Sequence, residues 1–541
     1  MSNNCLVTSK LEQPSTINRQ IVDVLYIEDY LCFASVVDAR KLTDKVFTHN
    51  PNFIADYDYN GYKITWSWYD NVFQFCINYL EIKELIQAID ALNIQHLTIG
   101  NISPQYRKVL ISYFFNKEIT FKQTTNKTLS FIKEIIFYFT MLLFSMISII
   151  FLALSKKKKV GSYTGDFIYK KTKSDYRLSP LYKKYEENNI DYVEFIRETT
   201  IKNFFVNIYK RKKLTIYFKS IIYFVNLLTK KSTYPKKPTD FFQSILYKYH
   251  NSNVVFIKSI PLIEKILKII KINKFVLFGF SSRTSYLLIA SKSLNITTIG
   301  IMHGLQQKEY AVYEFMESYQ ENKKIGCDIY GVWSPHYLEY FKKYSKLMNS
   351  ESICYSGLLR PIKNVNSMSS FKKISSKKIK VLLISEPLIS VLEIIPYLQC
   401  LLKHHDIEVA IKVRPMIKDI YYEEMLIKFP EIKNLKVFDG KIEDVGRDFD
   451  VFIGSNSTAV IEASLFGKIS ILLNTKKFSD YFDMDTLMPD QLLLVRQPDQ
   501  LYEHIINRVN NEHFLNTVEK IRNKFFGDGN DGSQWVINQL Q

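Results

Sequence analysis

The sequence has few cysteines, and they lie far apart. Its 541 residues include six cysteines, with no C-x-x-C pair and no histidine spacing typical of a metal site. Neither a disulfide framework nor a zinc site is indicated, so a reducing, cytosolic setting fits best. The N-terminal residues also lack a basic start followed by a long apolar run, so we expect no secretory signal.

Motifs for common cofactors and metals are also missing from the places where they would act. No G-x-G-x-x-G, Walker A sequence or D-x-D sits at the end of a predicted strand. This counts against a dinucleotide enzyme, a phosphate-loop ATPase and a metal-dependent transferase. We therefore expect neither a bound cofactor nor a metal ion.

Acidic residues are outnumbered by basic ones, which narrows the choice of partners. The chain has 72 lysines and arginines against 54 aspartates and glutamates, a formal net charge of +18. Such a charge suits nucleic acid or an anionic membrane surface, but the lysines are spread along the whole chain. We expect an anionic membrane surface as a partner, and no nucleic acid.

Length and apolar content are sufficient for several packed domains. At 541 residues, 47% of them hydrophobic, the chain suits two to four domains. Strand and helix patterns alternate over residues 20–130, from residue 275 to 347, and again from residue 379 onward. This alternation predicts an α/β fold with Rossmann-like parallel sheets.

One stretch, residues 450–474, combines a strand, a polar turn and a helix. The turn at 454–458 consists mainly of hydroxyl and amide side chains, and the helix is predicted over residues 459–466. At the end of a parallel strand, such a turn and the free N–H groups of a helix start form a place for an anion. Glu462 would face the same crevice and accept hydrogen bonds from a ribose. The alternative is a simple helix cap followed by a solvated acid.

Other strand ends carry further candidate residues. His303 and Gly304 follow a strand predicted at 297–302, and the glycine would let the backbone turn sharply and approach a ligand. A lone histidine is more often a structural hydrogen bonder, but this place after a buried strand favours function. Glu386 and Arg414 end the first two predicted strands of the C-terminal half. The alternative is that Glu386 simply ends its strand and that Arg414 is an ordinary surface cation.

Two apolar segments indicate contact with a membrane. Residues 135–154 carry no charge, and four lysines follow them. By length this run can span a bilayer. Residues 210–231 are apolar and aromatic with basic ends, which is typical of an interfacial anchor. We favour one inserted and one interfacial segment on the inner leaflet; the alternatives are a true span and two buried core helices.

The motifs at the strand ends resemble those of a known architecture. The motifs are Ile299-Gly-Ile-Met-His303-Gly304, Val413-Arg414-Pro415 and Gly454-Ser-Asn-Ser-Thr-Ala-Val-Ile-Glu-Ala463. They are similar to motifs of bacterial surface-carbohydrate and capsule-synthesis glycosyltransferases of the two-domain GT-B type, whose relatives include transferases acting on sialic acid and on glycerol phosphate. The resemblance covers about residues 270 to 480. Some relatives have a His-Pro pair on the donor phosphate where this chain has Arg414-Pro415.

The resemblance implies two Rossmann-like domains facing a cleft, with roles for the candidate residues. Arg414 would be the counter-charge of the donor phosphate, and Glu462 would hold the ribose. His303, with Gly304 beside it, would be the base or acceptor-positioning group, and Glu386 is the rival base. The donor phosphate would rest on the turn that contains Ser455, Ser457 and Thr458.

The expected organisation has four parts, and the expected activity is glycosyl transfer. The parts are an N-terminal α/β region at 1–130, a membrane-associating helical insertion at 131–235, the rest of the acceptor-side domain at 236–365, and a nucleotide-sugar-binding domain at 378–541. A metal-independent enzyme, peripheral or monotopic at the cytoplasmic face of the inner (plasma) membrane, would move a sugar from a nucleotide sugar to a growing surface polysaccharide or lipid-linked acceptor. Glycerophosphate or sugar-phosphate transfer, nucleotide-sugar epimerisation and non-catalytic membrane binding are the alternatives.

Overall fold

Parallel β-sheets and the helices around them make up the described parts of this chain. The computed structural model describes residues 4–10, 23–121, 127–164, 175, 177–196, 204–205, 214–305, 307, 312–359, 378–386, 389–413, 420–439, 442–488, 493–511 and 514–541. Within these ranges the strands form three parallel sheets and one two-stranded hairpin. The fold is therefore mixed α/β, as the alternating patterns predicted.

The first sheet is built within residues 4–121. Its strands and the hairpin are β1 (Asn4–Thr8), β2 (Asp23–Tyr26), β3 (Asp58–Tyr59), β4 (Tyr62–Lys63), β5 (His96–Ile99) and β6 (Glu118–Phe121). The helices are α1 (Val36–Thr48), α2 (Pro51–Ala55), α3 (Tyr69–Glu81), α4 (Lys83–Ala91) and α5 (Pro104–Tyr113), with 3-10 turns at Ile27–Asp29 and Ile64–Trp68. The sheet order is β2-β1-β5-β6, separate from the sheet that follows.

The second sheet has seven strands. They are β7 (Lys159–Thr164), β8 (Tyr192–Ile196), β9 (Thr215–Tyr217), β10 (Ile272–Leu277), β11 (Thr297–Ile301), β12 (Ile329–Val332) and β13 (Ile353–Tyr355). The helices are α6 (Lys127–Leu154), α7 (Ser179–Glu187), α8 (Phe218–Leu228), α9 (Phe241–Tyr247), α10 (His250–Ile269), α11 (Ser285–Ser293), α12 (Val312–Phe315) and α13 (Pro335–Tyr344), with a 3-10 turn at Ser350–Ser352. The order is β13-β12-β11-β10-β7-β8-β9.

Three strands of this sheet come from residues 131–235, which the sequence predicted to be a helical insertion. The strands β7, β8 and β9 have only six, five and three residues. Glu194 is buried in the middle of β8, so the strand lacks the continuous apolar run that periodicity detects. Residues 131–235 thus combine these three strands with α6, α7 and α8, and β9 occupies part of the stretch predicted as an interfacial helix.

The third sheet has six strands. They are β14 (Ile379–Ile384), β15 (Ile407–Lys412), β16 (Lys436–Phe438), β17 (Val451–Gly454), β18 (Ile469–Leu473) and β19 (Leu494–Val495). The helices are α14 (Val391–Leu402), α15 (Ile420–Lys428), α16 (Ile442–Val445), α17 (Thr458–Ile461), α18 (Met484–Leu487), α19 (Leu501–Val509), α20 (Phe514–Phe526) and α21 (Gly532–Leu540). Further 3-10 turns lie at Pro430–Asn434, Gly446–Asp448, Glu462–Phe466 and Pro498–Gln500.

The strand order of the third sheet is that of a doubly wound fold. In space the order is β16-β15-β14-β17-β18-β19. Numbered within this sheet alone, it reads 3-2-1-4-5-6, the order of dinucleotide-binding folds. All residues of β17 and β18 are buried, as expected for parallel strands covered on both faces.

The segment after β17 is less helical than predicted. A single helix is predicted over residues 459–466, whereas the structure has one α-helical turn, Thr458–Ile461, followed by the 3-10 turn Glu462–Phe466. Gly467 closes it with φ of 69°, a left-handed conformation that glycine adopts without strain. The β-branched residues Val460 and Ile461 are buried against the sheet, so packing rather than helix length fixes this segment.

The end of the chain returns from the third sheet to the second. The backbone N–H of Gly532 donates a hydrogen bond to the carbonyl oxygen of Leu358 at 2.8 Å. Val536 and Ile537 of α21 are buried in a core that also contains residues of α7. The last helix of the predicted domain at 378–541 therefore packs against the second sheet and its helix α7.

Candidate functional site

Both large sheets have a point where their strand order reverses. In the third sheet β14 and β17 are parallel neighbours, and Glu386 and the turn Ser455–Thr458 follow them. In the second sheet β7 and β10 are neighbours in the same way. Ligands of doubly wound sheets bind outside the carboxyl ends of the strands at such points.

The turn after β11 touches the turn after β17. The backbone N–H of Leu305 donates a hydrogen bond to Thr458 Oγ1 at 3.1 Å. Close by, Gln307 Nε2 donates to the carbonyl oxygen of Phe482 at 3.2 Å. The carboxyl edges of the second and third sheets therefore face each other, and two motifs that lie about 150 residues apart in sequence form one site.

The backbone conformation at Gly304 is one that any residue can adopt. Gly304 is not among the glycines with positive φ, so the turn itself does not require glycine. A Cβ at this position would lie 3.6 Å from Thr458 Oγ1, an ordinary van der Waals distance. The missing side chain leaves room between the two turns.

His303 lies in the cleft beside this contact. Its ring packs against Phe278 with the centroids 5.3 Å apart, and the residue remains open to solvent on one side. The surrounding protein lowers the pKa of the imidazole to about 4, with Arg177 adding to this effect and Asp175 opposing it. The ring is therefore neutral at pH 7 and can accept a hydrogen bond or a proton.

A small cavity opens next to His303 at the reversal between β7 and β10. Its volume is about 110 Å³, and its lining includes Tyr163, Arg177, Phe278 and Glu314. At about 30 Å³ per water molecule, this is room for about four waters or a fragment of a substrate. Glu314 is 2% exposed, and the hydroxyl of Tyr330 lies 3.4 Å from its Oε1.

Arg177 is held firmly at the edge of this cavity. The carboxylate of Asp175, fully buried, accepts from Arg177 Nε at 3.1 Å and from Nη2 at 2.8 Å. The guanidinium carbon lies 4.4 Å from the centre of the Phe278 ring, so Arg177 and His303 pack on the same aromatic side chain. A guanidinium fixed by a bidentate pair and a ring is a rigid hydrogen-bond donor.

Sequence reasoning missed Asp175, Arg177 and Phe278. The first two lie in the region predicted as an insertion, and no predicted strand precedes them. The run Val160–Thr164 is the signal that could have found them, since it becomes β7 and ends shortly before the pair. Phe278 lies in the region of alternating strand and helix patterns that begins at residue 275, where an aromatic residue is typical of the core.

Hydroxyl contacts hold the turn after β17. Ser455 is buried, and its Oγ lies 3.2 Å from Thr475 Oγ1, just beyond β18. Ser457 is the N-cap of α17, yet its side chain makes no capping hydrogen bond. Asn456 Oδ1 is buried and has no hydrogen-bond partner among the described residues. A bound ligand or a water molecule with a donor group would satisfy it.

The helix start after β17 is shorter than the sequence predicted. Because α17 is a single turn, its helix dipole is small. The N–H of Val460 already donates to the carbonyl oxygen of Ser457 at 3.0 Å. The hydroxyl oxygen of Thr458 accepts a hydrogen bond from the N–H of Leu305, which leaves its O–H as a donor toward a ligand.

Of the three charged candidate residues, two lie in the part of the chain that the structure describes. Glu386 is 4% exposed at the end of β14, and Glu462 is half-buried at the start of a 3-10 turn. Since Leu383 of β14 pairs with Ile453 of β17, Glu386 ends the strand next to the Ser455 turn. Arg414 falls within residues 414–419, outside the described residues.

Comparisons with known proteins found similarity in solved structures only. No protein-family model matches the chain, and no curated protein matches it. Similar structures include a glycosyltransferase from Rickettsia africae, with 12% identity, 71% of this chain and 98% of that chain covered, and a TM-score of 0.42. UDP-GlcNAc 2-epimerase from Neisseria meningitidis, solved with UDP-GlcNAc bound, has 13% identity, coverage of 71% and 99%, and a TM-score of 0.42.

A third similar structure is spinosyn rhamnosyltransferase in complex with spinosyn aglycone. It has 7% identity, coverage of 71% of this chain and all of that chain, and a TM-score of 0.41. The three structures named here are thus two glycosyltransferases and one UDP-GlcNAc 2-epimerase.

Proposed function

We propose that this protein is a GT-B-like glycosyltransferase that moves a sugar from a nucleotide sugar to an acceptor between the second and third sheets. The observation that carries the proposal is the contact between the turns after β11 and β17, which brings the carboxyl edges of two sheets together. Two facing edges supply one binding surface for each of two substrates. This arrangement suits a transfer between a donor and an acceptor.

The donor belongs to the third sheet in this proposal. Its diphosphate lies at the Ser455–Thr458 turn, with Arg414 as counter-charge and Glu462 on the ribose. Stabilisation of the departing phosphate is the main electrostatic requirement of such a transfer. Since a single helical turn has a small dipole, the proposal assigns the larger share of that stabilisation to Arg414.

The acceptor hydroxyl requires a base, and His303 is the proposed one. The neutral imidazole lies in the cleft beside the contact between the turns. With a pKa of about 4 it is a weak base in the free protein. A donor diphosphate nearby would raise that pKa, since negative charge stabilises imidazolium. Glu386, deeper and almost fully buried, is the second candidate.

The proposed acceptor is a growing surface polysaccharide or a lipid-linked sugar, as in capsule synthesis. A lipid-linked acceptor would place the reaction at the cytoplasmic face of the plasma membrane. The proposal includes no metal ion, because no D-x-D follows a predicted strand in the sequence.

A thermal-shift screen tests the proposal first. The full chain would be heated with UDP-, CMP-, GDP- and dTDP-sugars and with CDP-glycerol. A ligand at 100 times its dissociation constant stabilises the folded protein by about 2.7 kcal/mol, so a specific donor gives a clear rise in melting temperature. We expect one nucleotide class to do so, and its sugar to be transferred to a membrane extract that supplies acceptor.

Other outcomes would replace the proposal. Release of an isomerised nucleotide sugar or free sugar without acceptor would indicate an epimerase. A response to CDP-glycerol alone would indicate glycerophosphate transfer. If no nucleotide binds, the enzyme proposal fails and a non-catalytic membrane-binding protein becomes the better account.

A further inference from the structure

The long helix α6 packs against the protein along one of its faces. Met141, Ser145, Ser148 and Leu152, spaced three or four residues apart, are all buried. Ser145 Oγ accepts a hydrogen bond from the backbone N–H of Tyr217 at 2.9 Å. Tyr217 ends β9, the outermost strand of the second sheet. The helix therefore covers an open sheet edge, which explains a buried serine in an otherwise apolar run.

The opposite face of α6 is bare. Six apolar side chains spaced three or four residues apart are between 44% and 75% exposed. They are Ile136, Phe139, Leu143, Ile147, Ile150 and Leu154. The apolar part, Ile132–Leu154, has 23 residues and is long enough to cross a membrane. At 1.5 Å per residue it is about 34 Å long.

Contacts between the segments before and after α6 exclude a single crossing. Ser318 Oγ donates to Asp44 Oδ1 at 2.5 Å, and Ser282 Oγ donates to Asp70 Oδ2 at 2.9 Å. The two aspartates precede α6 in the chain and the two serines follow it. One crossing would place the segments on opposite sides of the bilayer, where these contacts could not form.

Lysines border the bare face at both ends. Lys133 is exposed at the start of the apolar run, and Lys156 and Lys158 are exposed just after it. Glu134 is the one acidic residue between positions 133 and 158. Lysine side chains at the ends of an apolar stripe can reach anionic headgroups while the stripe lies among the acyl chains.

The neighbouring helix α8 extends this surface. Tyr138 of α6 stacks on Tyr223 of α8 with the ring centroids 4.2 Å apart. Leu227 and Leu228, at the end of α8, are 42% and 85% exposed. Two exposed lysines at 230 and 231 follow them, which repeats the pattern of bare apolar side chains bordered by positive charge.

We propose that α6 lies in the plane of a membrane leaflet containing anionic lipid, with its bare face at the boundary between headgroups and acyl chains. A second copy of the chain suits this face less well. Whether two α6 helices pair in parallel or antiparallel, lysine-bearing ends meet lysine-bearing ends, and like charges repel. Anionic headgroups complement both ends. The inference is independent of the transferase proposal, because it concerns binding to lipid alone.

Flotation with vesicles tests the surface. The full chain would be mixed with vesicles of phosphatidylethanolamine and 30% phosphatidylglycerol, and with vesicles of phosphatidylcholine alone. We expect binding to the anionic vesicles, and about a tenfold or greater loss in the double variant Ile136→Ser/Ile150→Ser. The matched control is Leu392→Ser/Ile427→Ser, at two residues of the third sheet's helices that are 56% and 77% exposed, and it should bind like the parent.

Two further measurements separate the alternatives. Lys156→Gln/Lys158→Gln should weaken binding about fivefold per lysine at low salt and have little effect at high salt. With brominated lipids, tryptophan placed by Ile136→Trp, Leu143→Trp or Ile150→Trp should be quenched at one common shallow depth.

Three results would overturn the inference. The first is a tryptophan at position 143 much deeper than those at 136 and 150, which indicates a crossing helix. The second is a parent protein that does not float with either vesicle. The third is a dimer in sedimentation that dissociates in the Ile136→Ser/Ile150→Ser variant, which would assign the face to a second copy.

Discussion

At the scale of single residues, His303 has the most sharply defined role. His303→Ala should lower transfer by about a hundredfold or more, as expected for loss of a general base. Nucleotide affinity should stay within a few fold, because the histidine belongs to the acceptor side of the cleft. Kinetics and isothermal titration would measure the two effects. His96→Ala is the matched control, since His96 is exposed on the first sheet and pairs with Glu118.

A small effect would change the assignment. If His303→Ala keeps transfer within tenfold of the parent, the barrier has changed by no more than about 1.4 kcal/mol. In that case His303 is structural, and Glu386 becomes the base to test.

The low pKa of His336 predicts a pH dependence of stability. Burial lowers the pKa of this imidazole from 6.5 to about 4. The unfolded chain therefore binds protons between pH 6.5 and 4 that the folded chain does not, so stability falls as pH drops through this window. His336→Asn should reduce the slope of melting temperature against pH between 6.5 and 4. An unchanged slope would show that His336 is not held neutral in the folded state.

Thr458 joins the two sheets through its hydroxyl. Thr458→Val keeps the shape but leaves the buried Leu305 N–H without an acceptor, at a cost of about 1 to 3 kcal/mol. Hydrogen exchange at Leu305 should become faster, and donor binding weaker. Thr458→Ser, which keeps the acceptor oxygen, should restore slow exchange. Equal exchange in the valine and serine variants would mean that this contact does not hold the turns together.

At the scale of elements, apolar strands were predictable and strands with buried polar residues were not. The sequence predicted a strand at 297–302, and the structure has β11 at Thr297–Ile301. The strands β7, β8 and β9 went unpredicted because they carry buried polar residues such as Glu194 and Thr215. Their sheet partners, distant in sequence, supply the stabilisation that local periodicity does not show.

Apolar strand patterns also decided which parts of the site could be predicted. The turns after β11 and β17 could be found because each directly follows a strong apolar strand. Asp175 and Arg177 could not, because their position depends on the pairing of β7 with β10, residues more than a hundred positions away. The shortening of the helix after β17 also follows from packing rather than from local propensity.

Mutations in α21 test whether this helix stabilises the core that it shares with α7. Ile537 is fully buried in the core shared with α7, so Ile537→Ala should destabilise the protein by about 2 to 5 kcal/mol. Asn538→Ala, at the exposed neighbouring position, should change stability by no more than about 0.5 kcal/mol. Thermal unfolding would measure both, and hydrogen exchange in α7 should increase only in the first variant. If α7 is unaffected, α21 does not stabilise the second sheet in solution.

At the scale of the whole molecule, the account places a two-sheet cleft beside a membrane-facing helix. Helix α3 contacts the loop after β10 of the second sheet, where Ser282 donates a hydrogen bond to Asp70. The first sheet's helices are therefore attached to the second sheet. Exposed lysines border the proposed lipid surface at the ends of α6 and α8. Binding of a nucleotide sugar in the cleft is the claim on which the enzymatic part depends.

Hydrogen exchange of the full chain, with and without the nucleotide selected by the thermal-shift screen, tests that claim most directly. The account predicts slower exchange in peptides covering residues 302–305 and 454–462, which contain the two facing turns, and little change in the first sheet. Protection confined to other segments, or none at saturating nucleotide, would contradict the placement of the donor between the second and third sheets.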